Sequence, residues 1–165
     1  MPDIDKKLLN PNYRVRFINP PDGEVPSFFL HELRCHTKEM DPCPHCHGSV
    51  VVIPYGLELL NRLRTMVYSY NENTGMPRGI KLNGSYSCEK HNAEIPNASP
   101  NSVHKWGGAY DIDSSYSNMT SLEMARMAEA AGFQRVGVYD WGIHVDIGYE
   151  MGLRPGPAKW GDWGE

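Results

Sequence analysis

Apolar residues recur at helical spacing after Pro54, and a second helix is predicted after Thr120. In the first segment they come at every third or fourth position, which predicts a helix with one buried face that ends before Asn73-Thr-Gly75. In the second, Thr120-Ser-Leu-Glu123 has the spacing of a capping box, and good helix formers continue to Ala131, where Gly132 stops the helix. The predicted buried face of the first helix consists of Leu57, Leu60, Leu63, Val67 and Tyr70.

Four short segments are predicted strands, and three of them alternate between apolar and polar residues. Two of these flank Asp140-Trp-Gly142, which predicts a hairpin with a three-residue loop. Because side chains alternate across a strand, His144 and Asp146 are expected on one face. The four segments are Gly79–Leu82, Ala109–Asp113, Arg135–Tyr139 and Ile143–Ile147.

This mixture of elements predicts an α+β fold, in which a small antiparallel sheet has flanking helices. At 165 residues the chain is about one domain long. Residues 1–27 are rich in proline and lack periodicity, so we expect an extended N-terminal arm. Residues 28–150 then form the domain, and residues 151–165 form a tail that packs on it.

The composition excludes some classes of function. The formal net charge is -4, with 16 Lys and Arg against 20 Asp and Glu, and no basic run argues for nucleic acid as the main partner. No apolar stretch of about 18 residues is present, so we expect no membrane span. The first residues lack the apolar stretch of a signal peptide. We expect a monomer that is synthesised in the cytoplasm.

The four cysteines cluster in a way that favours metal binding. Cys43 and Cys46 have the Cys-x-x-Cys spacing that holds one tetrahedral zinc, and Cys35 lies eight residues upstream. Cys88 is the first candidate for the fourth ligand. A closed site of this kind is structural, and it would order the stretch between residues 33 and 49. Lower-ranked fourth ligands are His36, His45 and His47, and disulfides or a redox pair are the alternative interpretations.

A second candidate metal site combines His104, Asp111 and His144. A catalytic zinc usually takes three protein ligands from His and carboxylates and leaves a fourth position open for water, whose pKa falls toward about 7. One carboxylate offsets the double charge of the metal only in part. Gly107 and Gly108 would allow a close approach between backbone and metal.

The order of these residues resembles a family of zinc peptidases. The pattern Ser-x-His-x-x-Gly-x-Ala-x-Asp runs from Ser102 to Asp111, and His144 follows 33 residues later in a predicted strand. This arrangement resembles the M15 peptidases, and most closely the compact phage and bacterial members that cut peptidoglycan stem peptides. Gly84–Asn92 resembles their Ser-Gly-Tyr-Arg-Cys-x-x-His-Asn segment, and Ile143–Gly148 looks like their closing strand. The resemblance covers roughly residues 28–148.

The resemblance implies a zinc-dependent peptidase with a hedgehog/DD-peptidase-like fold. Its substrate would be a peptidoglycan peptide, cut at a D-Ala-D-Ala or L-Ala-D-Glu bond for lysis or wall remodelling, with catalytic zinc on the His, Asp, His triad. Several family members have an acidic general base three positions before the last His, where this chain has Trp141. Asp140 is therefore the candidate base, unless it only shapes the turn. Asp146 competes for that role, or it supports the His144 ring.

One position departs from the family pattern, because Ser87 stands where the pattern has Arg. That Arg is thought to bind the substrate carboxylate or the oxyanion, and Arg78 or Lys81 are candidates to replace it. The departure motivates an alternative function, a catalytically weak or inactive zinc-containing module that binds the wall or a peptide. The candidate platform of such a module is Trp141, Trp160 and Trp163.

Overall fold

The computed structural model describes residues 10–17, 24–25, 28–75 and 78–164. Helices and strands are mixed in the order expected for an α+β protein, which confirms the predicted fold class. The helices are α1 (Leu30–Leu33), α2 (Pro54–Asn73), α3 (Glu89–Glu94) and α4 (Ser121–Ala131). The strands are β1 (Val15–Phe17), β2 (Glu24–Val25), β3 (Phe28–Phe29), β4 (Val50–Val52), β5 (Lys81–Gly84), β6 (Ala109–Asp113), β7 (Arg135–Tyr139), β8 (Gly142–Asp146) and β9 (Ala158–Gly161).

The main sheet of the described residues has the strand order β5-β6-β8-β7-β9. Its first four strands are antiparallel to their neighbours, as predicted, but β9 lies parallel to β7. This last strand comes from the segment predicted as a tail. The residues after 150 therefore complete one edge of the sheet.

The two faces of the sheet have different roles. On one face Tyr110 and Ile112 of β6 and Ile143 and Val145 of β8 are buried in the hydrophobic core. Helix α4 contacts β7 and β8 and packs against α2, so the helices lie on this face. Because strand side chains alternate, the opposite face of the same strands carries the polar residues, among them Asp111 and His144.

Helix α2 begins at Pro54 as predicted and ends one residue later than predicted, at Asn73, and one residue of its predicted face is wrong. Tyr70 is exposed, and Asn71 is buried in its place. The Asn71 amide donates hydrogen bonds to the carbonyl oxygens of Ser117, at 2.8 Å, and Arg78, at 3.2 Å. The buried face continues from Val67 by a step of four residues to Asn71, and not by a step of three to Tyr70. Asn71 is tolerated at this buried position because its amide has hydrogen-bond partners.

Helix α4 begins and ends as predicted. The Thr120 hydroxyl accepts from the Glu123 N–H at 3.1 Å, and the Glu123 carboxylate accepts from the Thr120 N–H at 3.0 Å, which completes the capping box. Gly132 ends the helix with a φ of 118°. The capping box therefore fixes where α4 starts beneath the sheet.

The hairpin of β7 and β8 is confirmed, but its loop has two residues and not three. Gly142, with a φ of 155°, is the first residue of β8 and pairs with Tyr139. The shorter loop shifts the register by one residue, so Gly137 and not Val138 lies opposite His144. The predicted strand over Gly79–Leu82 is displaced by two residues, since β5 spans Lys81–Gly84.

The segment predicted as an N-terminal arm contributes a strand. Val15–Phe17 pairs with Val50–Val52 in an antiparallel ladder. Residues 1–9, 18–23 and 26–27 of the predicted arm lie outside the described residues. In the described part of the chain, no helix combines the length and apolar character needed to cross a bilayer.

Gly142 holds β8 close to β6, and its replacement tests this constraint. A Cβ at position 142 would overlap the carbonyl oxygen of Ile112 on the neighbouring strand. We expect Gly142→Ala to lower the free energy of unfolding by more than about 3 kcal/mol, measured by urea denaturation at fixed metal content.

The matched control is Gly152→Ala. Gly152 also has a positive φ, 75°, but an added Cβ there has nothing within 4 Å. This variant carries backbone strain without the clash and should lose roughly 1 kcal/mol. Equal losses in the two variants would contradict the proposed role of close strand approach.

Candidate metal centres

The predicted His, Asp, His triad comes together on the open face of the sheet. Asp111 of β6 lies directly opposite His144 of β8 in the ladder. His104 lies on a 3-10 helix, Val103–Trp106, that directly precedes β6 and is capped by Ser102, whose hydroxyl accepts from the His104 N–H. One ligand-type atom from each of the three side chains lies within 4.8 Å of the others, an arrangement that could hold a metal ion.

The spacing of the donor atoms fits a small divalent cation. His104 Nε2 lies 3.2 Å from Asp111 Oδ2, and His144 Nδ1 lies 3.0 Å from Asp111 Oδ1. Ligands at about 2.0–2.1 Å from a tetrahedral zinc are separated by about 3.3 Å along each edge. Each imidazole contacts a different oxygen of the carboxylate, and the three groups lie close enough together to share one cation.

The outward nitrogen of each imidazole has an acceptor. His104 Nδ1 lies 2.7 Å from the carbonyl oxygen of Ser85, and His144 Nε2 lies 2.8 Å from Asp146 Oδ2. A carbonyl or carboxylate oxygen only accepts, so each outward nitrogen keeps its proton. When each ring is neutral, the inward nitrogens His104 Nε2 and His144 Nδ1 therefore have free lone pairs for a metal.

Asp146 is itself held by charge and by backbone. Its Oδ1 accepts from the Arg135 Nε at 2.9 Å and from the Gly148 N–H at 2.8 Å, and the residue is 2% exposed. Burial opposes its ionisation, but the hydrogen bond and charge of His144, the Gly148 N–H and Arg135 hold the pKa of Asp146 below its usual range. The carboxylate therefore orients the His144 ring from a fixed position.

In the metal-free triad, Asp111 and His144 form a charged pair. Burial alone would raise the pKa of Asp111, but the charge of His104 and hydrogen bonds from both histidines lower it well below its usual range. Burial lowers the pKa of His144, yet the hydrogen bonds to Asp111 and Asp146 outweigh it and raise it to about 9. At neutral pH His144 is thus protonated on both nitrogens, and a cation must displace the inward proton.

An indole forms a wall beside the triad. Strand register places Asp111, His144, Gly137 and Trp160 in one row across β6, β8, β7 and β9. The Trp160 ring occupies the space that a Cβ of Gly137 would need, and its centroid lies 5.5 Å from that of His144. Gly137 is therefore required to admit the indole next to the candidate ligand His144.

The candidate base Asp140 is exposed in the hairpin turn. It has no hydrogen bond or ion pair with any residue that the structure describes, whereas Asp146 contacts His144 directly. Of the two candidate replacements for the family Arg, Lys81 pairs in register with Asp113 and is exposed on the face that carries Asp111. Arg78 is occupied elsewhere, since it bonds the carbonyl oxygen of Tyr116 and lies over its ring.

The four cysteines form the second candidate centre, and Cys88 is the fourth member, as ranked first from the sequence. One sulfur from each lies within 4.8 Å of the others, and all four thiols are free of disulfides. Cys43 Sγ and Cys88 Sγ are 3.8 Å apart. Four sulfurs at about 2.3 Å from a tetrahedral zinc are separated by about 3.8 Å, so the distance fits a shared cation.

The backbone around the cysteines is arranged for thiolate ligands. The Cys88 N–H donates to Cys35 Sγ at 3.3 Å, and the His91 N–H donates to Cys88 Sγ at 3.4 Å, contacts that stabilise negative charge on sulfur. Burial raises the pKa of the Cys35 and Cys88 thiols, so a cation must displace their protons. The lower-ranked alternative His45 pairs with Glu94 at 2.7 Å.

No protein-family model matches the chain, and no curated protein matches it either. The features that bear on function are therefore the geometry of the two centres and the sequence patterns. Sequence reasoning missed Arg135 and the Ser85 carbonyl, which support the ligands. The register of the hairpin was the available signal for Arg135, and a two-residue loop would have placed it opposite Asp146.

Cation binding by the triad should depend on pH. The charged pair of His144 and Asp111 stabilises the metal-free fold fully below about pH 6.5, and this contribution is lost as the pH rises through about 9. The affinity of the triad for a cation should instead increase as the pH rises. We expect it to fall by at least about tenfold for each pH unit between pH 8 and pH 6, because one proton must leave His144.

Competition with a chromophoric chelator measures this affinity, after the thiols have first been filled with Cd²⁺. The isosteric variant Asp146→Asn provides the control. Removal of that charge lowers the pKa of His144, so the slope between pH 7 and pH 8 should flatten. A parent protein whose affinity is constant over that unit would contradict the protonated His144.

Proposed function

We propose that this protein is a zinc-dependent peptidase that hydrolyses peptide bonds in the stem peptides of bacterial peptidoglycan, either D-Ala-D-Ala or L-Ala-D-Glu. The observation that carries the proposal is the convergence of His104, Asp111 and His144, with the outward imidazole nitrogens already engaged. The substrate class is supported by the likeness of Ser102–Asp111 and Gly84–Asn92 to M15 peptidases. The enzyme would act on the wall after synthesis in the cytoplasm.

The ligand chemistry favours zinc at both centres. Two imidazoles and one carboxylate form a typical catalytic donor set, and four thiolates form a typical structural one. A zinc ion in the triad supplies a Lewis acid that polarises a scissile carbonyl and acidifies water. Asp146 holds the His144 ring for this purpose, and Arg135 offsets the charge of Asp146.

Asp140 is the proposed acceptor of a proton from the attacking water. Asp146 is unsuited to this step because both of its oxygens already accept hydrogen bonds and the residue is buried. Asp140 directly follows Tyr139 in the turn. One row of paired residues crosses the sheet here, and it consists of Tyr139, Gly142, Asp113 and Lys81. The turn therefore lies at the end of the sheet where Lys81 is also exposed. In the proposed mechanism Lys81 binds the substrate carboxylate that the family Arg would bind.

A second function, a wall-binding module with little or no turnover, is favoured by one observation. Tyr139 and Trp141 are 38% and 42% exposed and stack at the hairpin tip, with ring centroids 5.1 Å apart. The Tyr139 hydroxyl also accepts from the Trp160 indole at 2.7 Å. Exposed, pre-ordered aromatic rings are suited to binding without chemistry.

Metal content tests the zinc assignment directly. Purified protein should contain two zinc ions per chain by elemental mass spectrometry. His104→Ala and Cys46→Ser should each lose one ion, because each removes a ligand from a different centre. Retention of both ions in either variant, with circular dichroism showing a retained fold, would contradict the assignment of that residue as a ligand.

Hydrolysis of purified peptidoglycan tests the reaction. We expect the zinc-loaded parent to release new peptide termini that mass spectrometry identifies, and His104→Ala to release none above background. The identity of the termini distinguishes the two candidate bonds. Binding of the parent to the wall without release, at full zinc content, would contradict the peptidase and favour the binding module.

Two isosteric carboxylate variants separate the proposed roles. Asp140→Asn should lower kcat by about 100-fold at unchanged zinc affinity, because it removes only a proton acceptor. Asp146→Asn should weaken zinc binding by about 10-fold to 100-fold after correction for proton competition at His144, because it changes the support of that ring. Unchanged kcat in Asp140→Asn would exclude Asp140 as the base and leave the metal triad intact.

A further inference from the structure

One short segment, Ser85–Cys88, contacts both candidate metal centres. At one end the Cys88 sulfur belongs to the thiol cluster and the Cys88 N–H donates to Cys35 Sγ. At the other end the Ser85 carbonyl oxygen accepts from His104 Nδ1 at 2.7 Å. Between them the Ser87 N–H donates to the carbonyl oxygen of His104 at 3.1 Å. Four consecutive residues thus connect the cysteines to one ligand of the triad.

The position of this segment depends on these few contacts. It lies between β5 and α3 and belongs to neither a helix nor a strand. Two further backbone hydrogen bonds hold it in the described residues. The Tyr86 N–H donates to the Leu33 carbonyl oxygen at 3.3 Å, and the Cys88 carbonyl oxygen accepts from the Asn92 N–H of α3 at 2.9 Å. The segment is nevertheless buried, with Ser85 at 2% and Tyr86 at 7% exposure. A buried, irregular segment needs such anchors to keep one conformation.

The apolar packing around the cysteines is small. Tyr86 and Val51 are the two members, besides the thiols, of a buried cluster that is separate from the main core. Two side chains contribute little hydrophobic stabilisation compared with a bound structural cation. The ion is therefore the main source of order expected for the cysteine end of the segment.

We propose that a divalent cation on Cys35, Cys43, Cys46 and Cys88 positions the Ser85 carbonyl against His104 and thereby increases the cation affinity of the His104, Asp111 and His144 triad. Ser85 acts as a positioning residue through its backbone, since its carbonyl keeps the proton on His104 Nδ1 and leaves Nε2 for the metal. The two centres are then thermodynamically linked. The inference requires that both donor sets bind a cation, and it does not require peptidase activity.

Linkage makes the effect reciprocal. If a cation on the thiols increases the affinity of the triad by some factor, a cation on the triad increases the affinity of the thiols by the same factor. Contacts that orient a metal-binding imidazole typically change metal affinity by about 10-fold to 100-fold. His144 provides an internal reference, because Asp146 on β8 orients it without contacting the segment.

The test uses the full chain, stripped of metal and then titrated with Cd²⁺, which prefers thiolates. Ultraviolet charge-transfer absorption reports filling of the thiol cluster. Co²⁺ is then titrated into the triad with and without Cd²⁺ on the thiols. We expect at least about tenfold tighter Co²⁺ binding with Cd²⁺ present. Equal Co²⁺ affinities within twofold would overturn the linkage.

Nitrogen NMR of the imidazoles separates positioning from general folding. Cd²⁺ on the thiols should bring the His104 ring to a single form with a proton on Nδ1, while the His144 signals keep their positions. Equal changes at both histidines would show that the cation only folds the chain, and this would overturn the specific role of Ser85. No change at His104 would overturn it as well.

Variants give an independent comparison. Cys46→Ser should weaken Co²⁺ binding by the triad, whereas His45→Ala, a neighbour that pairs with Glu94 outside the donor set, should leave it within twofold. His104→Ala should weaken Cd²⁺ binding by the thiols by the linkage factor. If the triad binds no Co²⁺ in any form, the metallopeptidase fails too, whereas equal affinities with and without Cd²⁺ refute the linkage alone.

Discussion

The register between β6 and β8 is the constraint on which the site depends. It places Asp111 opposite His144 on one face while Tyr110, Ile112, Ile143 and Val145 enter the core on the other. A slip of one residue would exchange the faces, burying the ligands and exposing the core side chains. The hydrophobic effect that holds the helices on the sheet therefore also holds two candidate metal ligands in place.

The third ligand is positioned in a different way. His104 lies on a short 3-10 helix, and its ring is oriented by a carbonyl from the irregular segment before α3. Neither element has the extended ladder of hydrogen bonds that fixes Asp111 and His144. For His104 the Ser102 cap and Gly107, which turns the chain with a φ of 78°, set the backbone, and the Ser85 carbonyl orients the ring.

The sequence predicts local features of this fold well and distances between segments poorly. The bounds of α2, α4, β6 and β7 follow from periodicity and from residues such as Thr120 and Gly132, which act on their immediate neighbours. The Cys-x-x-Cys spacing and the His, Asp, His order likewise identify the members of both centres. The error at Tyr70 arose because helical periodicity allows steps of three or four, and only tertiary packing selects between them.

Other features could not be predicted, because they depend on register and on segments distant in sequence. A loop of two residues in place of three changes which residue faces His144, and with it the roles of Gly137 and Arg135. The parallel pairing of β9 with β7 has no local signature in the sequence. The carbonyl of Ser85 is also beyond sequence patterns, because every residue has a carbonyl and only the fold directs this one to an imidazole.

The closeness of Trp160 to His144 gives the protein an optical property. Indole fluorescence is sensitive to charge within a few ångströms, and a protonated imidazole is an efficient quencher. The ring 5.5 Å from Trp160 is that of His144, whose inward proton a cation bound by the triad would displace. Trp160 is one of four tryptophans in the chain, so a variant that keeps only this indole would carry a fluorophore beside His144 without any attached label.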